Sequence, residues 1–239
     1  GEYAFQLKAY IPDEYLTGML LEDWVITPEK TIWHVRPGIY WAADNVDWMD
    51  NRELIAQDVV EDLLIFRDCA AGGWAFRGMT EADGIYATDR YTLVIETPGG
   101  FDLTMMYIIG YEDRSLFTPP EMEVAPGGAA SWANQVGTGP FMLKEYVVGS
   151  HMTYIPNPNY WDTTTIDGVE YQIPFVDEMI YPIVPDPSSL MSALRTGVAD
   201  FCGPGTLGSE YWPALEQTAP GLLSATYPVP EGGLLGLKV

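Results

Sequence analysis

Only two imidazoles, His34 and His151, occur among the 239 residues, and neither has a partner at HxH or HxxxH spacing. Neither is therefore placed as a metal ligand or as half of an acid–base pair. Ser131 and Ser150 lack the GxSxG setting that exposes a nucleophilic serine on a sharp turn. The acidic run ADNVDWMDNRE offers Asp44, Asp47, Asp50 and Glu53, but it lacks the 1, 3, 5 ligand spacing and the sixth-position glycine of a calcium loop. A solvated loop is the expectation there. The glycine loops PGGAA (126–130) and GTGP (137–140) fit neither phosphate-binding pattern and carry no lysine. With 34 acidic residues, position alone selects no glycosidase-like pair. The expectation is a protein that is not an enzyme and holds no metal and no cofactor.

Binding needs less: an apolar and aromatic wall with a few polar anchors. Aromatic residues make up 13% of the chain, and Trp41, Tyr107, Tyr111 and Trp132 stand at or near the ends of predicted elements. Trp41, Tyr111 and the adjacent Glu112 are the candidates for a cleft edge from this part of the sequence. The formal charge of −23, with four lysines and seven arginines, repels phosphate backbones and anionic head groups, so no nucleic-acid partner is expected. No run of apolar residues is long enough to span a bilayer. Cys69 and Cys202 are too few for a disulfide framework, and either two thiols or one bridge is compatible with the sequence.

The elements that would position such a wall are legible in outline. GTGPFMLKEYVVGSHMTYIPNPNYW (137–161) reads as a loop of small residues, a strand Phe141–Val147, a Gly149-Ser150 turn, a strand Met152–Ile155 and an Asn-Pro-Asn segment. Strands are predicted over Thr31–Val35, Tyr91–Glu96, Val176–Val184 and Val198–Phe201, with a polar excursion from Asp162 to Pro174. Asp50 and Glu53 have capping-box spacing, which predicts a helix from about Asn51. Its buried stripe would be Leu54, Ile55, Val59, Leu63 and Phe66, with Asp58, Glu61 and Asp62 opposite. A second helix is predicted with Asp186 as N-cap, Pro187 in the first turn, Leu190, Met191 and Leu194 buried, and Gly197 as the stop. Strand, helix, strand alternation implies an α/β lobe with partly parallel pairing.

Four segments in one order carry a family resemblance. Trp24 with TIWHVRPGIYW (31–41), RELIAQDVVEDL (52–63), the GTGPF loop and hairpin closed by NPNYW, and VDEMIYPIVPDPSSLMSALRTGVADF (176–201) resemble the family 5 extracellular solute-binding proteins of ABC importers. Ile55 stands where that family's helix usually opens on threonine. The resemblance implies a periplasmic-binding-protein-like α/β lobe of class II type, a mixed sheet with flanking helices, truncated before the second lobe. On that reading residues 1–239 are the first lobe, 42–135 a family-type subdomain insertion, and 225–239 the strand leading to the hinge. Thr138 and Gly139 join the candidate cleft edge, because the family's GTGP loop lies near the interlobe opening and glycine permits close backbone approach.

The function so implied is non-catalytic capture of a small solute outside the cytoplasmic membrane, with hinged closure and delivery to ABC permease subunits. Short peptides come first and oligosaccharide is the alternative. A lobe-like module that holds another protein is the competing class, and a second lobe or a second chain would be a partner. Nickel is disfavoured by the lack of a histidine or thiolate cluster. The chain begins without the basic and apolar pattern of an export signal. A lone lobe would bind a small ligand no better than about millimolar.

Overall fold

The computed structural model describes residues 16–69, 84–98, 100, 109–110, 116–203 and 206–222. They fall into two compact units, Gly1–Tyr146 with Thr153–Met179, and Val147–Met152 with Ile180–Val239. The segment 225–239 lies outside the described residues.

The first unit is built on a sheet of β1 (Leu21–Ile26), β2 (Lys30–Val35), β3 (Ile85–Ala87) and β4 (Thr92–Glu96), in the order β1-β2-β4-β3. Alternation in β2 sends Thr31, Trp33 and Val35 to one face, where all three are buried. The turn into β2 is tied by the Thr27 hydroxyl, which accepts from Lys30 N at 3.1 Å. The turn into β4 is tied by the Asp89 carboxylate, which accepts from Tyr91 N and Thr92 N at 2.9 Å each. Strand β1 did not emerge from the sequence; its Trp24 lies opposite Trp33 in the ladder. All registers defined among the described residues are antiparallel, so the parallel pairing expected from alternation is not found in them.

Helix α1 (Ala56–Asp68) packs against β3 and β4 and begins later than predicted. Its N-cap is Ile55, which has no side-chain acceptor; the Asp58 carboxylate instead accepts from Ile55 N at 3.0 Å. Glu53 cannot close a box with Asp50, because it accepts from Gly38 N at 2.7 Å and binds Arg90 and the Tyr91 hydroxyl. Leu54, Val59 and Leu63 are buried as expected, but Asp58 is buried with them and not opposite. The core gathers Trp33, Val35, Ile39, Trp41, Leu54, Leu63, Leu93 and Ile95, each large side chain contributing about 1.5–3 kcal/mol on burial.

After a short helix α2 (Glu121–Val124) and a 3₁₀ turn at Trp132–Asn134, strands β5 (Phe141–Val147) and β6 (His151–Pro156) form the predicted hairpin. The polar excursion proves to be a second hairpin, β7 (Thr163–Ile166) with β8 (Val169–Gln172). Its two-residue connection is Asp167-Gly168, with φ of 51° and 81°. That is the two-residue turn whose twist matches paired strands, and Asp-Gly is its usual sequence.

In the second unit the tip of the β5–β6 hairpin is followed by β9 (Met179–Pro182), in the sheet order β5-β6-β9. Strand β9 is shorter than the predicted 176–184. Helix α3 (Pro187–Thr196) matches its prediction: Asp186 accepts from Ser189 N at 2.7 Å, and Gly197 stops the helix at φ 68°. Leu190, Met191 and Leu194 pack with Leu207 and with Leu215 of α4 (Trp212–Thr218). The strand expected at Val198–Phe201 does not form. Val198 N and Ala199 N both bond back to Ala193 O, so these residues finish the helix, and Val198 and Phe201 are exposed. Both cysteines are unbridged thiols.

Candidate ligand-binding loop and the scaffold behind it

The loop Gly137–Pro140 is half-buried and held from behind by asparagines. Gly137 O accepts from Ala42 N at 2.9 Å. Asn157 makes four bonds: its carbonyl accepts from Tyr160 N at 3.2 Å, its side chain donates to Gly139 O at 2.9 Å, its backbone N–H donates to Pro140 O at 2.9 Å, and its Oδ1 accepts from Asn159 N at 2.9 Å. The last is an Asx turn, the behaviour expected of Asn-Pro-Asn. Asn45 Nδ2 donates to Gln135 O and Leu143 O at 3.2 and 3.1 Å, which ties the approach to the loop against β5. Asn134 is buried; it donates to Pro126 O and Gly128 O and accepts from Trp48 Nε1 at 3.1 Å. The loop and its approach are therefore fixed largely through side-chain amides: Asn134 and Asn157 use both donor and acceptor, whereas Asn45 uses only its donor and its Oδ1 is buried without a partner among the described residues. A Cβ built on Gly137 or Gly139 meets no atom within 4 Å.

The same unit holds an ionic clamp centred on Arg52. Its guanidinium bonds Asp58 through Nη1 and Nη2 at 2.7 and 2.9 Å, and Glu121 through Nε and Nη2 at 2.7 Å each. Nη1 also donates to Glu53 O at 3.2 Å. All five donors of the fork are used, which joins the N-terminus of α1 to α2. Asp58 Oδ2 takes a further bond from Trp41 Nε1 at 3.2 Å. Hydrogen bonding to Glu121 is the largest influence holding the Arg52 pKa above its ordinary value, and the same bond holds the Glu121 carboxyl below its own. Burial pushes Asp62 the other way, upward, against bonds from Thr118.

The sign of the Glu121 effect gives a measurable result. Its folded pKa is depressed, so its contribution is present above the ordinary value of 4.5 and is lost as the pH falls from there through the folded value. Urea midpoints taken down through the acid range below 4.5 should fall less steeply for Glu121→Gln than for the natural chain. Equal slopes would mean that the clamp carries no proton linkage.

The candidate residues do not assemble as one set. Thr138 and Gly139 lie together on the partly exposed loop. Trp41, expected at a cleft edge, is a core residue with no exposed surface: its N–H bonds Arg52 O at 2.9 Å and its indole reaches Asp58. Tyr111, Glu112 and Tyr107 lie outside the described residues. Trp132 is 45% exposed and stands edge-on to Tyr146, with ring centroids 5.8 Å apart. The histidines are both engaged locally, His34 with Asp23 across β1–β2 and His151 with its neighbour Ser150. Asn45, Asn134 and Arg52 were missed. The Asn-Pro-Asn turn signal was readable, but its use as a latch on Gly139 was not.

A family model described as bacterial extracellular solute-binding proteins, family 5 middle, matches residues 16–238. The chain belongs to this family. Among curated relatives, this family 5 chain is 26% identical over 161 residues to the periplasmic murein peptide-binding protein MppA of Escherichia coli, covering 58% of this chain and 29% of MppA. It is 25% identical over 200 residues to the dipeptide-binding protein of the same organism, covering 74% of this chain and 34% of that one. Among solved structures, Haemophilus influenzae OppA in complex with RPPGFSPFR superposes with a TM-score of 0.63 at 19% identity, covering 83% of this chain and 39% of OppA. The fold is thus that of a periplasmic-binding protein. The family 5 chain spans about a third of the length of the curated relatives it matches.

Proposed function

We propose that this chain is part of a non-catalytic, extracytoplasmic receptor that captures short peptides and presents them to an ABC permease. The observation that carries this reading is membership of the solute-binding family across residues 16–238. The printed names of its relatives, a murein peptide-binding protein and a dipeptide-binding protein, favour peptide as the solute. Thr138 and Gly139 are assigned to the ligand side of the receptor, with Tyr111 and Glu112 as further candidates from the sequence. An extended peptide would be held largely through its main chain, as strands are held in sheets. One observation favours an oligosaccharide instead: the exposed Trp132 ring set on Tyr146 offers the flat aromatic surface on which a sugar ring packs.

Native mass spectrometry of the protein purified from its source separates these readings. A retained adduct with a peptide mass and a fragment series of amino-acid residues is the expected result. An adduct with hexose spacing would replace peptide by sugar, and a stable protein partner without a small adduct would replace both by an interaction module.

A further inference from the structure

The two faces of the β7–β8 hairpin differ in kind. The register pairs Thr164 with Tyr171 and Ile166 with Val169, and it pairs Thr163 with Gln172 and Thr165 with Glu170. Directly opposed residues share a face, so Ile166, Val169 and Tyr171 stand on one side, and Thr163, Thr165, Glu170 and Gln172 on the other. The Asp167-Gly168 turn fixes this arrangement, since a slip of one residue would exchange the faces. Phe175 extends the apolar side, its ring edge-on to Tyr171 with centroids 6.1 Å apart. Segregation of this kind normally accompanies burial of the apolar face. Here Ile166, Val169, Tyr171 and Phe175 are between 42% and 60% exposed. The hairpin is secured at its base by a residue of the polar face: the Gln172 amide donates to Tyr160 O at 2.7 Å and to Asp162 O at 2.9 Å.

The charge around this apolar face selects what could cover it. From Glu145 to Leu194 there are seven carboxylates and no lysine or arginine. Asp167, Glu170 and Asp177 are exposed and have no ion-pair partner among the described residues. Lys144, the nearest lysine or arginine in sequence to the hairpin, is taken by Glu178 at 2.9 Å. A second copy of this chain would bring the same carboxylates to the contact, and an anionic bilayer would repel them. We propose that the face of Ile166, Val169, Tyr171 and Phe175 is a docking surface for another protein, one that presents an apolar strip bordered by lysine or arginine. The apolar contact supplies the area, the two aromatic rings are its anchors, and the unpaired carboxylates set the partner's charge. The assignment is independent of which solute the chain carries.

Capped peptides of alternating lysine and valine, and of alternating glutamate and valine, serve as probes in NMR titrations of the ¹⁵N-labelled chain. The lysine peptide should shift the amides of Ile166, Val169, Tyr171 and Phe175, and the glutamate peptide should not. Tyr171→Ser should weaken the binding about tenfold, and Thr165→Ala, on the opposite face, should leave it unchanged. Both variants should melt as the natural chain does, because both positions are exposed. Binding should also weaken as salt rises from about 0.05 to about 0.3 M. Shifts confined to residues outside the hairpin would mean capture of the probe as a solute, and equal shifts from the two peptides would mean apolar adhesion without charge selection. Either result overturns the proposal, as does the absence of any shift. A dimer that grows with concentration in sedimentation velocity and is lost in Tyr171→Ser would assign the face to a second copy instead. A Tyr171→Ser melting temperature lowered by several degrees would place the face within the chain's own packing and overturn the proposal equally.

Discussion

Arg52→Ala lowers the stability of the first unit by about 3 kcal/mol, above the ~0–1 of an exposed ion pair and at the lower end of the ~3–5 of breaking a buried one. The intermediate value follows from exposure: the Arg52 side chain is 32% exposed, whereas Asp58, the partner it leaves behind, is 7% exposed. At roughly 2–4 °C per kcal/mol, the melting temperature read by circular dichroism should drop by about 6–12 °C. Arg52→Lys should recover little of this, because a lysine ammonium cannot reproduce two bidentate contacts at once. A loss of under about 1 kcal/mol would place the clamp among ordinary surface pairs.

Trp41→Ala carries the other large effect, about 3–5 kcal/mol for emptying a fully buried aromatic site. Trp41→Phe separates packing from polarity: it keeps most of the volume and removes the indole N–H bond to Asp58, for about 1 kcal/mol. Because Trp41 and Arg52 share Asp58, the double substitution should not be additive. Urea denaturation of the four chains in the cycle measures the coupling. A Trp41→Ala variant as stable as the natural chain would return Trp41 to the surface role that its sequence position suggested.

How much of this was legible depended on how local the deciding chemistry is. Helix α3 could be read to the residue, since Asp186, Pro187 and Gly197 each act within one turn of themselves. The β5–β6 hairpin was readable for the same reason, its turn lying in Gly149-Ser150. The Asp167-Gly168 hairpin was equally local and was overlooked because its strands are only four residues each: TTTI has a single apolar residue, and VEYQ alternates but is exposed throughout. Helix α1 was misplaced for the opposite reason. Whether Glu53 caps a helix depends on Arg90 and Tyr91, far along the chain. Whether Asp58 faces solvent depends on Arg52 and on Trp41. The GTGP loop was visible as a motif, but its scaffolding by Asn45 rests on contacts between distant segments that no spacing announces.

The strand order of the first sheet has a kinetic consequence. Strands β1 with β2, and β3 with β4, are each joined by a short turn, so each pair forms on the microsecond scale of an isolated hairpin. The ladder that unites them, β2 with β4, waits for closure of the whole stretch from Arg36 to Tyr91 with α1 inside it. Two early hairpins, neither stable alone, must therefore meet before either is secured.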